Sequence, residues 1–183
     1  SINWLSDTTI NPNFLALDSK NRIWIGHWAT DGGISCYNPY DNTFFIYRWG
    51  EQSYKNVIGA IGIDHYDTKW IKNGENLIAL DSLGNPYEFN HPLLLGEIKP
   101  PPYPSFAFDK KNRVYLGTLN GLLVIDHKNT LGNFSDDEIK IITSGLLSPI
   151  INSCCCDRNG KIWVATPNGA GYLKNDLTFE IFT

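Results

Sequence analysis

The chain contains no methionine. A polypeptide without an initiating residue reads as a processed form or as a piece of a longer protein. Long apolar runs are missing too. No stretch approaches the ~18 residues that a spanning helix needs, so no membrane span is expected in this segment. Charged residues make up only 19%, with 15 Lys and Arg against 19 Asp and Glu, and that slightly acidic balance argues against nucleic acid as a partner. Cysteine is sparse and oddly placed, as Cys36 and the run Cys154-Cys155-Cys156. Neighbours on a strand point to opposite faces, so the run suits disulfides poorly, and its spacing fits no zinc pattern. Buried free thiols are the favoured reading. A disulfide from Cys36 to the run and metal or redox chemistry remain as alternatives. No stretch carries a helical stripe over a dozen residues.

What is present is apolar, aromatic and repetitive. Apolar residues reach 42% and aromatics 13%, a globular balance that favours strands. Four segments align: FLALDSKNRIWIG from Phe14, AIGIDHYDTKWIK from Ala60, SFAFDKKNRVYLG from Ser105 and SCCCDRNGKIWVA from Ser153. Each places an aromatic six residues after an Asp, as Asp18/Trp24, Asp64/Trp70, Asp109/Tyr115 and Asp157/Trp163. The aspartates are 46, 45 and 48 residues apart. A period in the forties with several short strands per unit marks a propeller blade. The expected fold is therefore all-β, a β-propeller of about four four-stranded antiparallel blades, partial or closed. The blades are expected over residues 14–47, 60–89, 105–143 and 151–182.

Within a unit, alternation and turn residues set the strands. In the first they fall at Phe14–Leu17, Arg22–His27, Ile34–Tyr37 and Thr43–Tyr47, with Ser1–Trp4 as a further short strand ahead of them. Two residues before each Asp stand Ala16, Gly62, Ala107 and Cys155, all small, between mostly larger neighbours. Period-two alternation puts the two sets on opposite faces. The small set is expected to meet a neighbouring blade near the axis, and the large set to fill the opposite layer. The Asp reads as a turn cap; a calcium loop at Asp64–Asp67 has too few oxygen ligands. Four blades that do not close would leave two bare apolar faces. The chain then closes on itself, pairs with another copy through those faces, or belongs to a longer protein.

The segment from Asp157 to Gly169, DRNGKIWVATPNG, resembles the two-component regulator propeller repeat, of the form D-x-x-G-x-I-W-I-G-T-x-x-G. Asp109 to Gly121 is similar, Asp18 to Gly33 is similar with a longer loop, and the second unit departs most, at Trp70-Ile-Lys-Asn-Gly74. The resemblance implies a sensing region in the periplasm or at the cell surface, ahead of a membrane helix and a histidine kinase or hybrid regulator. It also implies recognition of glycan fragments, so an oligosaccharide is the expected ligand.

Propeller ligands commonly sit near the axis, on the loops joining strand two to strand three and one blade to the next. In those loops His27, Trp28, Trp49, Tyr54, Lys72, Asn73, Asn120 and Asn168 are the candidate ligand-binding residues. Tyr103 lies in another. Flat aromatic faces and amides together suit a sugar. For each, packing between blades or simple hydration is the competing explanation. Lys99-Pro-Pro-Pro-Tyr-Pro104 reads as a stiff connector. No nucleophile elbow, phosphate loop or H-E-x-x-H is present, so no catalytic residue, metal or cofactor is expected. The leading reading is a non-catalytic sensor segment. The alternatives are a surface scaffold or assembly protein and, behind it, a polysaccharide-acting propeller enzyme.

Overall fold

A computed structural model describes residues 11–28, 33–47, 57–73, 76–89 and 105–182. They form sixteen strands: β1 (Pro12–Leu17), β2 (Ile23–His27), β3 (Ile34–Asn38), β4 (Thr43–Tyr47), β5 (Ile58–Ile63), β6 (Lys69–Asn73), β7 (Asn76–Leu80), β8 (Pro86–Glu88), β9 (Phe106–Phe108), β10 (Val114–Thr118), β11 (Gly121–Asp126), β12 (Glu138–Ile142), β13 (Ser153–Cys156), β14 (Ile162–Thr166), β15 (Gly169–Leu173) and β16 (Phe179–Phe182). Four consecutive strands at a time make one antiparallel meander, giving four sheets in chain order. The expected strands agree with these to within a residue or two; Ser1–Trp4 and the 99–104 connector lie outside the described residues. Among the described residues no helix is long and apolar enough to cross a membrane.

The first strands lie side by side, β1 on β5, β5 on β9 and β9 on β13. Each junction encloses one core. Trp24, Ile34, Cys36, Ile58, Ile61 and Ile71 fill the first. Trp70, Leu77, Ala79, Val114 and Leu123 fill the second, with Phe106 and Phe108 packed against them. Ala107, Tyr115, Val124, Cys154, Ile162 and Val164 fill the third. The small set of one sheet therefore faces the large set of the next.

Register explains the small residues more fully than crowding at the axis. Ala16, Gly62, Ala107 and Cys155 stand directly across from Trp24, Trp70, Tyr115 and Trp163. Above the first three, the second-strand ring and the next sheet's large residue share the space. At Gly62 a Cβ would lie 2.6 Å from the Cβ of Phe106.

Among the described residues, extensive packing joins only consecutive sheets. The outer face of the first sheet leaves Leu15 71% and Leu17 64% exposed, although Ile61 and Ile63, the equivalent residues of the next sheet, are covered or half-covered. The outer face of the last sheet exposes Cys155 and Phe182. Here the expectation of buried thiols needs correction. All four thiols are free, and Cys36 and Cys154 are buried, but Cys155 is exposed because it carries the small-residue face with no described sheet beyond it. Burial pushes the Cys36 thiol up to about 11 and the Cys154 thiol up to about 12, which keeps both as inert core.

Candidate functional site

Each sheet has two ends. At one end sit the Asp turns; at the other sit the loops from the second strand to the third.

The Asp turns share one geometry. In all four, Asp Oδ1 accepts from the backbone N–H groups two and four residues on. These donors are Lys20 and Arg22 at 3.0 and 2.9 Å, Tyr66 and Thr68 both at 2.9 Å, Lys111 and Arg113 at 2.9 and 3.0 Å, and Asn159 and Lys161 both at 2.9 Å. Oδ2 accepts from the aromatic six residues on. Trp24 donates at 3.0 Å, Trp70 at 2.9 Å, Tyr115 at 3.1 Å and Trp163 at 3.0 Å. The turn-cap reading accounts for half of this carboxylate. The other half explains the spacing of six, because the hairpin brings the ring back over the turn.

The electrostatics follow from those bonds. Burial pulls the Asp18 carboxyl upward, but donors from Trp24 and Arg22 outweigh it and hold it below its ordinary value. The Trp163 indole and Lys161 backbone hold Asp157 low in the same way. Burial, with the Asp109 carboxylate beside it, pushes the Tyr115 phenol well up, so it stays a neutral donor.

Neighbouring turns are latched to one another. Ser19 donates to Asp67 through its backbone N–H (2.8 Å) and its hydroxyl (2.6 Å). Asn112 donates Nδ2 to Asp64 Oδ2 at 2.9 Å and accepts the His65 N–H at 3.1 Å. The ring of His65 lies 3.0 Å from the Asp109 carbonyl and that of His127 3.1 Å from the Asn112 carbonyl. This end of the sheets is built as structure. Among the described residues no group of His, Cys, Asp and Glu gathers as a metal site would.

The opposite end holds the predicted ligand residues. His27 is buried, with Nε2 2.5 Å from the Ser35 hydroxyl. Lys72 and Asn73 are buried as well; Lys72 reaches the Asn76 carbonyl at 3.4 Å. Register places Lys72 on the Trp70 face of its sheet and Asn73 on the other, so the two do not converge. Trp28 is half exposed, its ring edge beside Gly59 of the next sheet and its N–H bonded to the Asn11 carbonyl at 2.8 Å. Asn120 and Asn168 are exposed at the tips of matching hairpins. Trp49, Tyr54 and Tyr103 lie outside the described residues.

Those two hairpins give the T-x-x-G motif its reason. Thr118 Oγ1 donates to the Gly121 carbonyl at 2.8 Å and accepts the Asn120 N–H at 3.0 Å. Thr166 does the same with Gly169 and Asn168, at 2.9 and 3.2 Å. Gly121 and Gly169 have φ of 125° and 138°, where a side chain is strained, and a Cβ on either would strike the backbone of the adjacent fourth strand. Asn168 Nδ2 further ties its tip to the Leu147 carbonyl at 3.1 Å.

Residues 145–168 match the family model described as "Two component regulator propeller". That segment is similar to one two-component regulator propeller repeat. The match spans the last inter-sheet loop, the fourth Asp turn and the Thr166 hairpin. No curated protein matches the sequence. Among solved structures, virginiamycin B lyase from Staphylococcus aureus superposes with a TM-score of 0.74 at 14% identity, over 97% of this chain and 57% of that one. PorZ, a surface component of the type-IX secretion system of Porphyromonas gingivalis, gives 0.71 at 16% identity, over 94% and 27%. The extracellular domain of a putative hybrid two component system from B. thetaiotaomicron gives 0.68 at 17% identity, over 98% and 22%. The likeness establishes a propeller-type fold, and the chain spans little more than half of the lyase and about a fifth of the sensor domain.

Proposed function

We propose that this chain is a non-catalytic recognition segment of an extracytoplasmic sensor, in the periplasm or at the cell surface, and that its strand-two-to-strand-three loops receive a carbohydrate. The observation that carries the reading is Trp28. A half-exposed indole at the loop end of the first junction is a stacking platform, and the exposed amides of Asn120 and Asn168 lie on the same end of their sheets. The repeat at 145–168 and the shape shared with the hybrid-system domain support the sensor setting. The lyase shares the shape as well, but a lyase mechanism asks for an acid–base pair among the loops. Among the described residues His65 and His127 sit instead among the Asp turns and contact carbonyls and Asn112, and His27, at the loop end, is buried against the Ser35 hydroxyl. Calorimetry against a panel of neutral and acidic oligosaccharides should find a ligand whose affinity falls about tenfold or more in Trp28→Ala, with an unchanged circular dichroism spectrum. Silence across the panel, or equal binding by Trp28→Ala, would sink the carbohydrate reading.

The scaffold alternative has an observation in its favour. Leu15 and Leu17 bare a large-residue face and Cys155 a small-residue face, the two kinds that meet at every internal junction. A second copy could supply each with its mate. Sedimentation should then show concentration-dependent self-association that Leu15→Asp/Leu17→Asp abolishes, and a monomer at every concentration would remove this reading.

A further inference from the structure

The layer between the first two sheets contains one residue that breaks the pattern of the repeat. The position before the aromatic is Ile23 in the first sheet, Val114 in the third and Ile162 in the fourth; in the second sheet it is Lys69. Register places Lys69 between Ile63 and Leu80, on the face turned toward the first sheet. It is 2% exposed. Its ammonium lies 4.6 Å from the centre of the Trp24 ring and 3.4 Å from the Asp81 carbonyl, a long contact, and among the described residues no carboxylate forms an ion pair with it. An aliphatic residue would fill this layer without the cost of burying a cation, as Val114 and Ile162 do at the next two junctions.

Lys69 lines a cavity of about 140 Å³ bounded by Arg22, Trp24, Phe45, Tyr47, Leu80 and the Ser82–Gly84 turn. Arg22 spends its Nε on Asp18 Oδ2 at 2.6 Å, which leaves its outer nitrogens without a protein partner among the described residues. Tyr47 closes the outer rim by donating to the Gly84 carbonyl at 3.0 Å. Burial, with Arg22 nearby, lowers the Lys69 pKa against the opposing pull of Asp67 and Asp18, and an anion in the cavity would add to that opposition. The site thus offers a buried ammonium with no directly bonded carboxylate among the described residues, the open edge of a guanidinium already half-neutralised by Asp18, and a wall of aromatic and aliphatic carbon.

We propose that this cavity between the first and second sheets is a binding site for a small carboxylate, with Lys69 and Arg22 holding the carboxylate oxygens and its short apolar body against Trp24 and Phe45. Two cations set against Asp18 and Asp67, with a carbon-lined wall, suit a monoanion with an apolar substituent better than a phosphate dianion. The site lies at the Asp-turn end of β6, remote from Trp28, and does not depend on the carbohydrate reading.

The test uses propionate, with inorganic phosphate and chloride as comparison anions at matched ionic strength, read by thermal shift and by Trp fluorescence. Propionate should raise the melting temperature saturably and perturb the Trp24 emission; phosphate and chloride should do neither. Lys69→Ile, which restores the residue type of the other sheets, should fold with an equal or higher melting temperature and bind propionate about tenfold or more weakly. Lys20→Ala, at an exposed turn, should bind as the unaltered chain does. The proposal falls if propionate gives no saturable shift, if phosphate or chloride shifts it equally, or if Lys69→Ile responds as the unaltered chain does.

Discussion

Asp64→Ala should cost about 3–5 kcal/mol in urea unfolding. Asp64 is buried, and its two oxygens accept four hydrogen bonds: from the backbones of Tyr66 and Thr68, from the Trp70 indole and from the Asn112 amide. The last two donors are buried, and one belongs to the next sheet. Alanine strands the Trp70 indole and both backbone donors and removes one of the bonds that join the second sheet to the third, leaving those of His65. Asparagine is no substitute, because whichever oxygen it replaces with NH2 then faces two donors. Asp157→Ala should cost much less. Its carboxylate takes three bonds at a more exposed turn and holds no neighbouring sheet. If the two variants unfold at the same urea concentration, the latch between sheets contributes nothing and the account of the Asp turns fails.

Gly62→Val should be nearly as damaging, by about 3 kcal/mol, through steric contact alone. A Cβ at Gly62 would lie 2.6 Å from Phe106 Cβ and 3.0 Å from its Cγ. Both residues sit on first strands, where the second and third sheets approach most closely, so relief requires moving a whole sheet. Phe106→Ala removes the ring, and with it the contacts from Cγ outward, while leaving Cβ in place. The double variant should therefore recover part of the loss, less destabilised than the sum of the two singles by 1 kcal/mol or more, on the order expected for residues in contact. Strict additivity would place Gly62 and Phe106 apart and overturn the face-to-face packing.

Much of this architecture was legible in the residues, for identifiable reasons. Strand alternation is local, so Leu15 and Leu17 separate from Ala16 by geometry that any strand obeys. The Asp-to-aromatic spacing is equally local, because both residues belong to one hairpin. The Thr-to-Gly hairpins are set by φ at a single residue. The candidate ligand residues were less legible. His27, Lys72 and Asn73, expected in loops, close strand two of their sheets and are buried, whereas Trp28, one residue past it, is half exposed. Their fates depend on the neighbouring sheet, which the order of residues does not display. Lys69 gave a faint signal, as a charge in an aliphatic position, that one-dimensional reading passes over because an exposed Lys is ordinary.

By itself, then, the sequence determined the repeat, its strands, its turns and which residues share a face, since each depends on neighbours a few positions away. Tertiary structure decided which face meets which: that Gly62 lies under Phe106, that Asn112 reaches Asp64, that Cys155 is bare although Cys154 is core, and that Lys69 is shut in beneath Trp24. Those outcomes turn on distances between residues some 45 positions apart, and only the packing of one sheet on another sets such distances.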